Sequence, residues 1–380
     1  MSNSFTLFSV RGIDIRMHIT FPLILIWSAL QFSLLTGGGA TGAAFGVVST
    51  LLLFSIVVLH ELGHSVAAQR YGVTVKQIVL LPIGGVAQLA RIPEKPMEEF
   101  VIAIAGPMVN FVLAILLALV SLALGLELRL NDLPALLSNL GQFSLISVFG
   151  YVFSSNLFLG LFNLLPAFPM DGGRVLRAIL ASRMSYARAT RLAVSIGQSL
   201  AWLLGLWGFL QGGLFLIVIA VFIYMGAGQE GQAVQIRSVL GGLTVEQAYS
   251  RGPEPLRMNS TLREAVQLTL NTFQSDFPIC DGENLVGILT HARLVKALDE
   301  FGPDVSISQV MDKEINPVTP QDSLVEAQRR LMEQRLEALP VVSKGGRFMG
   351  LLTARDISEV YHLVSTRADI LPVTAPALQE

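Results

Sequence analysis

Three ionisable side chains fall within five residues in the run Val57-Val58-Leu59-His60-Glu61-Leu62-Gly63-His64. Histidines four apart on a helix project from one face about one turn apart, so both imidazoles can reach a single zinc ion. Glu61 lies to the side of that pair, where a carboxylate can take a proton from a water activated by the metal. The run ends an apolar stretch at 46–68, and an ionisable side chain within a membrane costs about 2.5–3.5 kcal/mol on even the gentlest scale. Three together need a compensating partner, and a metal is the best one available. The competing reading is a helix end whose side chains snorkel to water.

A catalytic zinc site usually has three protein ligands and one open position. Residues 1–230 offer nine acids. Glu127 and Asp132 fall on the far side of the membrane, Asp14 and Glu94 sit in charged surface segments, and Glu230 ends the last apolar stretch. Glu98 and Glu99 open a helix, whose N-terminus welcomes anions without any metal. Asp171 remains, on the same side as His60 and His64, with Pro169 and Gly172-Gly173 shaping its backbone. Its competing role is the N-cap of a helix over 172–181. His18 reads as interfacial, and Met108, Met170 and Met225 as packing residues.

The elements that must position these groups follow from composition. Hydrophobic residues make up 52% and charged ones 14%, against about 25% charged in globular proteins. The charge is uneven: residues 1–230 hold 21 charged side chains and residues 231–380 hold 33. A membrane body is therefore followed by a water-soluble tail. Six stretches approach the roughly 20 apolar residues of a transmembrane helix: 18–36, 46–68, 99–124, 144–167, 192–210 and 213–228. The first lacks a small-residue cleavage site and is followed almost at once by the second, unlike a cleavable signal peptide. Eleven of the twelve Lys/Arg in the body fall on one side, with Arg129 alone opposite. That bias predicts both termini and the tail in the cytoplasm. The stretch 72–90 is rich in β-branched residues around Pro82-Ile83-Gly84-Gly85, which predicts a β-hairpin. Backbone of that kind is tolerated at membrane depth only where protein or a wet cavity surrounds it. A net charge of −2 offers nucleic acid no basic surface, and the single Cys280 cannot form a disulfide within the chain.

The tail repeats itself. A shift of 62 places Thr244–Pro278 on Ser306–Pro340, matching Gln247 with Gln309, Leu262 with Leu324, Ala265 with Ala327 and Pro278 with Pro340. Each copy then reaches a Gly-apolar-apolar-Thr strand end, at Gly287–Thr290 and Gly350–Thr353. Two stacked β-α-β-β-α units are expected.

The membrane constellation resembles the site-2 protease family of intramembrane zinc metalloproteases. It does so through His60-Glu61-Leu62-Gly63-His64, through Ala105-Gly106-Pro107 with Asn110, and through Phe162-Asn163-Leu164-Leu165-Pro166-Ala167-Phe168-Pro169-Met170-Asp171-Gly172-Gly173-Arg174. The resemblance covers roughly residues 10–225. It implies His60, His64 and Asp171 as zinc ligands, Glu61 as general base, and Asn163 as a holder of the substrate backbone. It also implies a membrane-embedded sheet at 72–90 beside the active site. For Asn163 the competing role is interhelical polar glue, and for the hairpin a structural plug.

The tail resembles tandem cystathionine-β-synthase-type (CBS) domains, regulatory modules that often bind adenine nucleotides between their two copies. Copy 2 carries Thr353-Ala354-Arg355-Asp356, where the resemblance implies Thr353 facing phosphate and Asp356 the ribose hydroxyls. Copy 1 reads Thr290-His291-Ala292-Arg293 and has Arg293 in place of that acid. A docking or dimerisation scaffold without ligand is the alternative.

The expected molecule is a polytopic α-helical membrane protein with six transmembrane helices, a membrane-embedded β-hairpin and a cytoplasmic α/β CBS pair. Its expected divisions are 1–228, a linker at 229–243, CBS copies at 244–303 and 304–363, and a terminal segment at 364–380. It is expected to cleave transmembrane or membrane-proximal segments of substrate proteins in a bacterial or archaeal cell membrane. Expected partners are the bilayer, one zinc ion, a possible adenine nucleotide and a second copy through the CBS domains. The competing function is a metal-ion transporter or channel under CBS control, and Glu61 separates the two because transport needs no water-activating base.

Overall fold

The structure is a computed structural model that describes residues 4–82, 84–89, 95–124, 145–272, 274–334 and 336–366. Glu94, Glu127, Arg129, Asp132 and residues 367–380 lie outside these. The chain divides into two compact units, Met1–Gln232 and Ala233–Glu380.

The first unit opens with β1 (Ser4–Val10) and β2 (Ile13–His18), continues through α1 (Phe21–Thr36) and α2 (Gly39–Arg70), and returns to β3 (Val75–Leu81) and β4 (Gly84–Leu89). The strands form one sheet in the order β1-β2-β3-β4, antiparallel except for the parallel β2–β3 pair. The expected hairpin is thus half of a larger sheet. Its β1–β2 half was not expected, although Ile13, Ile15 and Met17 alternate with Asp14, Arg16 and His18, and only pairing across two intervening helices joins the halves. Ile13, Ile15, Ile78 and Val75 bury against Phe54, Val58 and Ala68 of α2, which fixes the sheet over the helix that carries the histidines.

Four further long helices follow in this region: α3 (Pro96–Ala123), α4 (Leu145–Asn163), α6 (Tyr186–Leu210) and α7 (Leu214–Leu240), with the short α5 (Asp171–Ala181) between α4 and α6. Among the described residues, five helices are long and apolar enough to cross a membrane, and Phe21–Leu34 is a shorter apolar helix. Their outer faces expose large apolar groups such as Leu122, Trp202, Phe209, Phe215 and Phe222. Polar and small residues lie between helices: Ser28 Oγ donates to Gly46 O at 2.9 Å and Thr50 Oγ1 to Ser28 Oγ at 2.7 Å. That is the pattern of helices packed in lipid, where small residues permit close approach and hydroxyls bridge.

One boundary differs from expectation. The last apolar stretch ends near 228, but α7 runs unbroken to Leu240. Hydropathy falls there because Gln229, Glu230, Gln232 and Gln235 enter, yet none of these residues stops a helix. The expected linker is helical for most of its length.

The second unit holds β5 (Leu256–Arg257), α8 (Leu262–Thr272), β6 (Phe277–Asp281), β7 (Asn284–Leu289), α9 (His291–Phe301), α10 (Ile307–Val310), α11 (Leu324–Gln334), β8 (Ala338–Val342), β9 (Phe348–Thr353) and α12 (Ala354–Thr366). The repeated elements match except that the first strand of copy 2 is reduced to the parallel bridge Val318–Val341, and the cores do not follow the repeat boundaries. The lead-in of copy 1 packs Val245 and Tyr249 into the core of copy 2, with Leu324, Leu339 and Leu352. The lead-in of copy 2 packs Ile307 and Val310 into the core of copy 1, with Leu262, Phe277 and Leu289. Backbone pairing repeats the exchange: Ser250 bridges Leu351, and Asp312 bridges Ile288. Neither repeat closes its core without the other.

Candidate metal centre

The centre is built from three elements of the first unit. Helix α2 supplies His60 and His64, which are 4% and 5% exposed. The first residue of α5 supplies Asp171, whose side chain is 13% exposed. The run between α4 and α5 turns tightly because Gly172 lies against it: a Cβ there would meet the carbonyl of Leu165 at 2.2 Å. Met170 occupies the N-cap position of α5. Asp171 is therefore one residue inside the helix, and its carboxylate is turned toward the histidines.

The three ligand-type atoms converge. Asp171 Oδ2 lies 3.1 Å from His60 Nε2 and 3.1 Å from His64 Nε2, and the two Nε2 atoms are 3.1 Å apart. The far ring atoms are committed as donors, with His64 Nδ1–H reaching Ile102 O at 2.7 Å and His60 Nδ1–H reaching Asn110 Oδ1. Asn110 is held in turn, since its Nδ2 donates to Asn156 Oδ1 at 3.3 Å and Asn156 Nδ2 donates to Val152 O at 2.9 Å. A neutral imidazole that donates through Nδ1 leaves a lone pair on Nε2. With both rings neutral, two such lone pairs and a carboxylate oxygen face one another in a buried site, which is repulsive unless a metal ion or a proton sits between them.

The donor set fits zinc. Nitrogen and oxygen ligands at 2.0–2.1 Å around a tetrahedral ion lie roughly 3.3 Å from one another, close to the triangle observed. Carbonyl or amide partners behind both rings are the usual means of fixing a metal-ligating tautomer. Helix α3 makes room at Gly106, where a Cβ would stand 2.2 Å from His64 Nε2.

The other expected residues are placed as follows. Glu61 is half-buried beside the histidines, and its Cγ approaches Gly85 of β4, where a Cβ would lie 3.1 Å away. Among the described residues, β4, the strand passing Glu61, is the last in the sheet order. Asn163 is the last residue of α4 and is half-buried. Asn110 entered the sequence reading only as part of a motif, with no role of its own, and Asn156 was missed. Their signal was available, since an amide in an apolar helix requires a partner.

In the second unit, Thr353 and Asp356 border a cavity of about 400 Å³ with Ser250, Arg251, Gln274 and Asp276. Asp356 Oδ2 accepts from the Thr353 amide at 2.8 Å and hydroxyl at 2.7 Å, and Oδ1 accepts from Ser250 Oγ at 2.8 Å. Burial pushes the Asp276 carboxyl above the usual carboxylate range; the amide of His291 opposes the shift and the nearby Glu337 reinforces it. In copy 1, Arg293 Nε donates to Val310 O at 2.9 Å and stands 3.9 Å from Asp312 Oδ1. That side chain is thus occupied by the lead-in of copy 2.

Residues 48–204 match the model of peptidase family M50, and residues 245–300 and 307–363 each match that of the CBS domain. A zinc metalloprotease of Methanocaldococcus jannaschii is 33% identical over 370 residues, 97% of this chain and 99% of that protein. Stage IV sporulation protein FB of Bacillus subtilis is 28% identical over 194 residues, 51% of this chain and 57% of that protein. Among solved structures, a site-2 protease from Methanocaldococcus jannaschii is 42% identical, covering 60% of this chain and 95% of that one, with a TM-score of 0.43. The chain belongs to peptidase family M50, the site-2 protease family, and is a membrane-integral zinc metalloprotease carrying a pair of CBS domains.

Proposed function

We propose that His60, His64 and Asp171 hold the catalytic zinc and that Glu61 is the general base for cleaving transmembrane or membrane-proximal segments of other proteins. The observation that carries this is the buried triangle of three lone-pair donors with a carboxylate beside it. When bound, zinc supplies a water of lowered pKa and polarises a carbonyl. Glu61 takes a proton from the attacking water as its oxygen bonds to the scissile carbon. The same carboxyl then delivers that proton to the nitrogen as the C–N bond breaks. A transport site has no use for such a group, and the relatives do not favour a transporter.

A peptide bond within a helix is shielded, so the substrate must unwind locally. The place of β4 at the end of the sheet order beside Glu61 supports strand addition, with Asn163 accepting from and donating to the extended backbone. This reading takes the sheet as membrane-embedded and counts Phe21–Thr36 as a sixth span. It places both termini and the tail in the cytoplasm of a bacterial or archaeal cell, on the Lys/Arg bias. Protease residues are assigned to 1–228 and the CBS copies to 244–303 and 304–363, with their lead-ins exchanged.

In the tail, an adenine nucleotide is proposed for the cavity bordered by Thr353 and Asp356, and its binding is proposed to gate the protease. A homodimer through the CBS copies belongs to the same reading. If ATP, ADP and AMP neither bind nor alter cleavage, the gating fails.

The deciding experiment co-expresses wild-type and Glu61→Gln chains with candidate single-span proteins. Fragments should accumulate with the wild type alone while the variant retains zinc. Cleavage by Glu61→Gln overturns the mechanism.

A further inference from the structure

Arg177 is 0% exposed although it carries a permanent charge. It lies in α5, the helix that begins with Asp171. Its guanidinium is held between two rings, 4.9 Å from the centroid of Phe168 and 4.9 Å from that of Tyr186. Nε donates to Glu99 Oε1 at 2.9 Å, Nη2 reaches the same oxygen, and Nη1 meets Glu230 Oε1 at 2.5 Å. One side chain thus ties α5 to the first turn of α3 and to α7. Burying a cation is tolerated only when its partners are well placed, and losing one partner strands the others.

A second contact line runs beside this clasp. Gly226 of α7 lies so close to Pro169 that a Cβ there would meet Pro169 Cδ at 2.7 Å. Ile223 packs with Met170, and Ala227 with Phe168. The backbone that delivers Asp171 is therefore braced by α7 through apolar packing on one side and by Glu230 through Arg177 on the other. Helix α7 continues past Glu230 to Leu240.

We infer that the Glu99–Arg177–Glu230 clasp positions Asp171 within the metal-ligand set, and that Glu230 is the point at which a shift of α7 reaches the metal. Arg177 and Glu230 are positioning residues, acting through Asp171. The inference rests on Asp171 being a ligand, and its physical content is orientation: a guanidinium fixes two carboxylates in a plane, which an ammonium does not.

The test uses the purified full-length chain and reads zinc affinity by chelator competition, together with the electronic absorption of the cobalt-substituted protein. Positioning partners behind metal ligands typically contribute about 10–100-fold in metal affinity, and Arg177→Lys should lose affinity in that range. Glu230→Gln keeps the shape of a side chain that is 30% exposed; it should fold, bind zinc a few-fold more weakly and change the cobalt spectrum. The double variant Arg177→Met/Glu99→Leu removes both fully buried charges and leaves only Glu230, which is 30% exposed, without its partner; it should fold and still bind weakly. Wild-type affinity and spectrum in Glu230→Gln and in the double variant overturn the inference. An Asp171→Ala chain separates the two layers: wild-type zinc affinity there overturns the ligand assignment itself, whereas its loss beside normal Glu230→Gln overturns the clasp alone.

Discussion

The metal centre and the cleft in the tail both combine acids with hydroxyl, amide or imidazole partners, yet they treat their charges in opposite ways. At the metal centre, Asp171 Oδ2 and two Nε2 atoms face one another with every donor committed elsewhere. In the cleft, Asp356 already accepts from Thr353 and Ser250. The first constellation is incomplete without a cation. The second is satisfied by its own chain, and a ligand must compete for it. A site that cannot satisfy itself depends on its guest for structure, whereas one that can is tuned by its guest.

The largest effect should come from breaking the incomplete site. His64→Ala should abolish stoichiometric zinc in the purified chain and with it all cleavage, read by metal analysis and a fragment assay. Asn110→Ala sharpens the comparison by leaving the three ligands intact while freeing the His60 tautomer. An outer partner of this kind contributes about 10–100-fold in metal affinity or activity, measurable by chelator competition. In the cleft, Asp356→Ala removes an acceptor already shared by Thr353 and Ser250. Nucleotide affinity measured by calorimetry should fall only about tenfold, the lower end for hydrogen bonds to a charged group.

The smallest effect is electrostatic. Burial raises the folded-state pKa of Asp276, so its ionised form is disfavoured on folding. Its contribution to stability is greatest below the ordinary aspartate pKa of about 3.9 and is lost as pH rises through the higher folded value. Asp276→Asn removes that loss while keeping an acceptor for the amide of His291. Hydrogen exchange of β6 should therefore slow in the variant at neutral pH, and the difference should vanish in acid. A variant that exchanges faster at neutral pH would show that the charge is needed there.

Much of the candidate site was legible because charge is scarce in the apolar body. Nine acids left Asp171 after elimination, and the four-residue spacing of His60 and His64 requires only a helix to place them together. The same scarcity should have singled out Arg177 and Glu99, but an arginine in a basic turn and a glutamate at a helix start both have ordinary explanations. Only the fold brings Arg177 within hydrogen-bond distance of both Glu99 and Glu230, from three separate elements.

Local periodicity and composition determined where the helices lie, which side chains could ligate, and that the tail is a repeat. These signals need no long-range information. The pairing of β2 with β3 across two helices, the exchange of lead-in segments between the CBS copies, and the unbroken run of α7 past residue 228 were decided by tertiary structure. Each depends on which surface a segment finds to bury. The sequence of the tail shows two copies, but a repeat boundary marks where residues recur, and a core closes wherever apolar area is best removed from water.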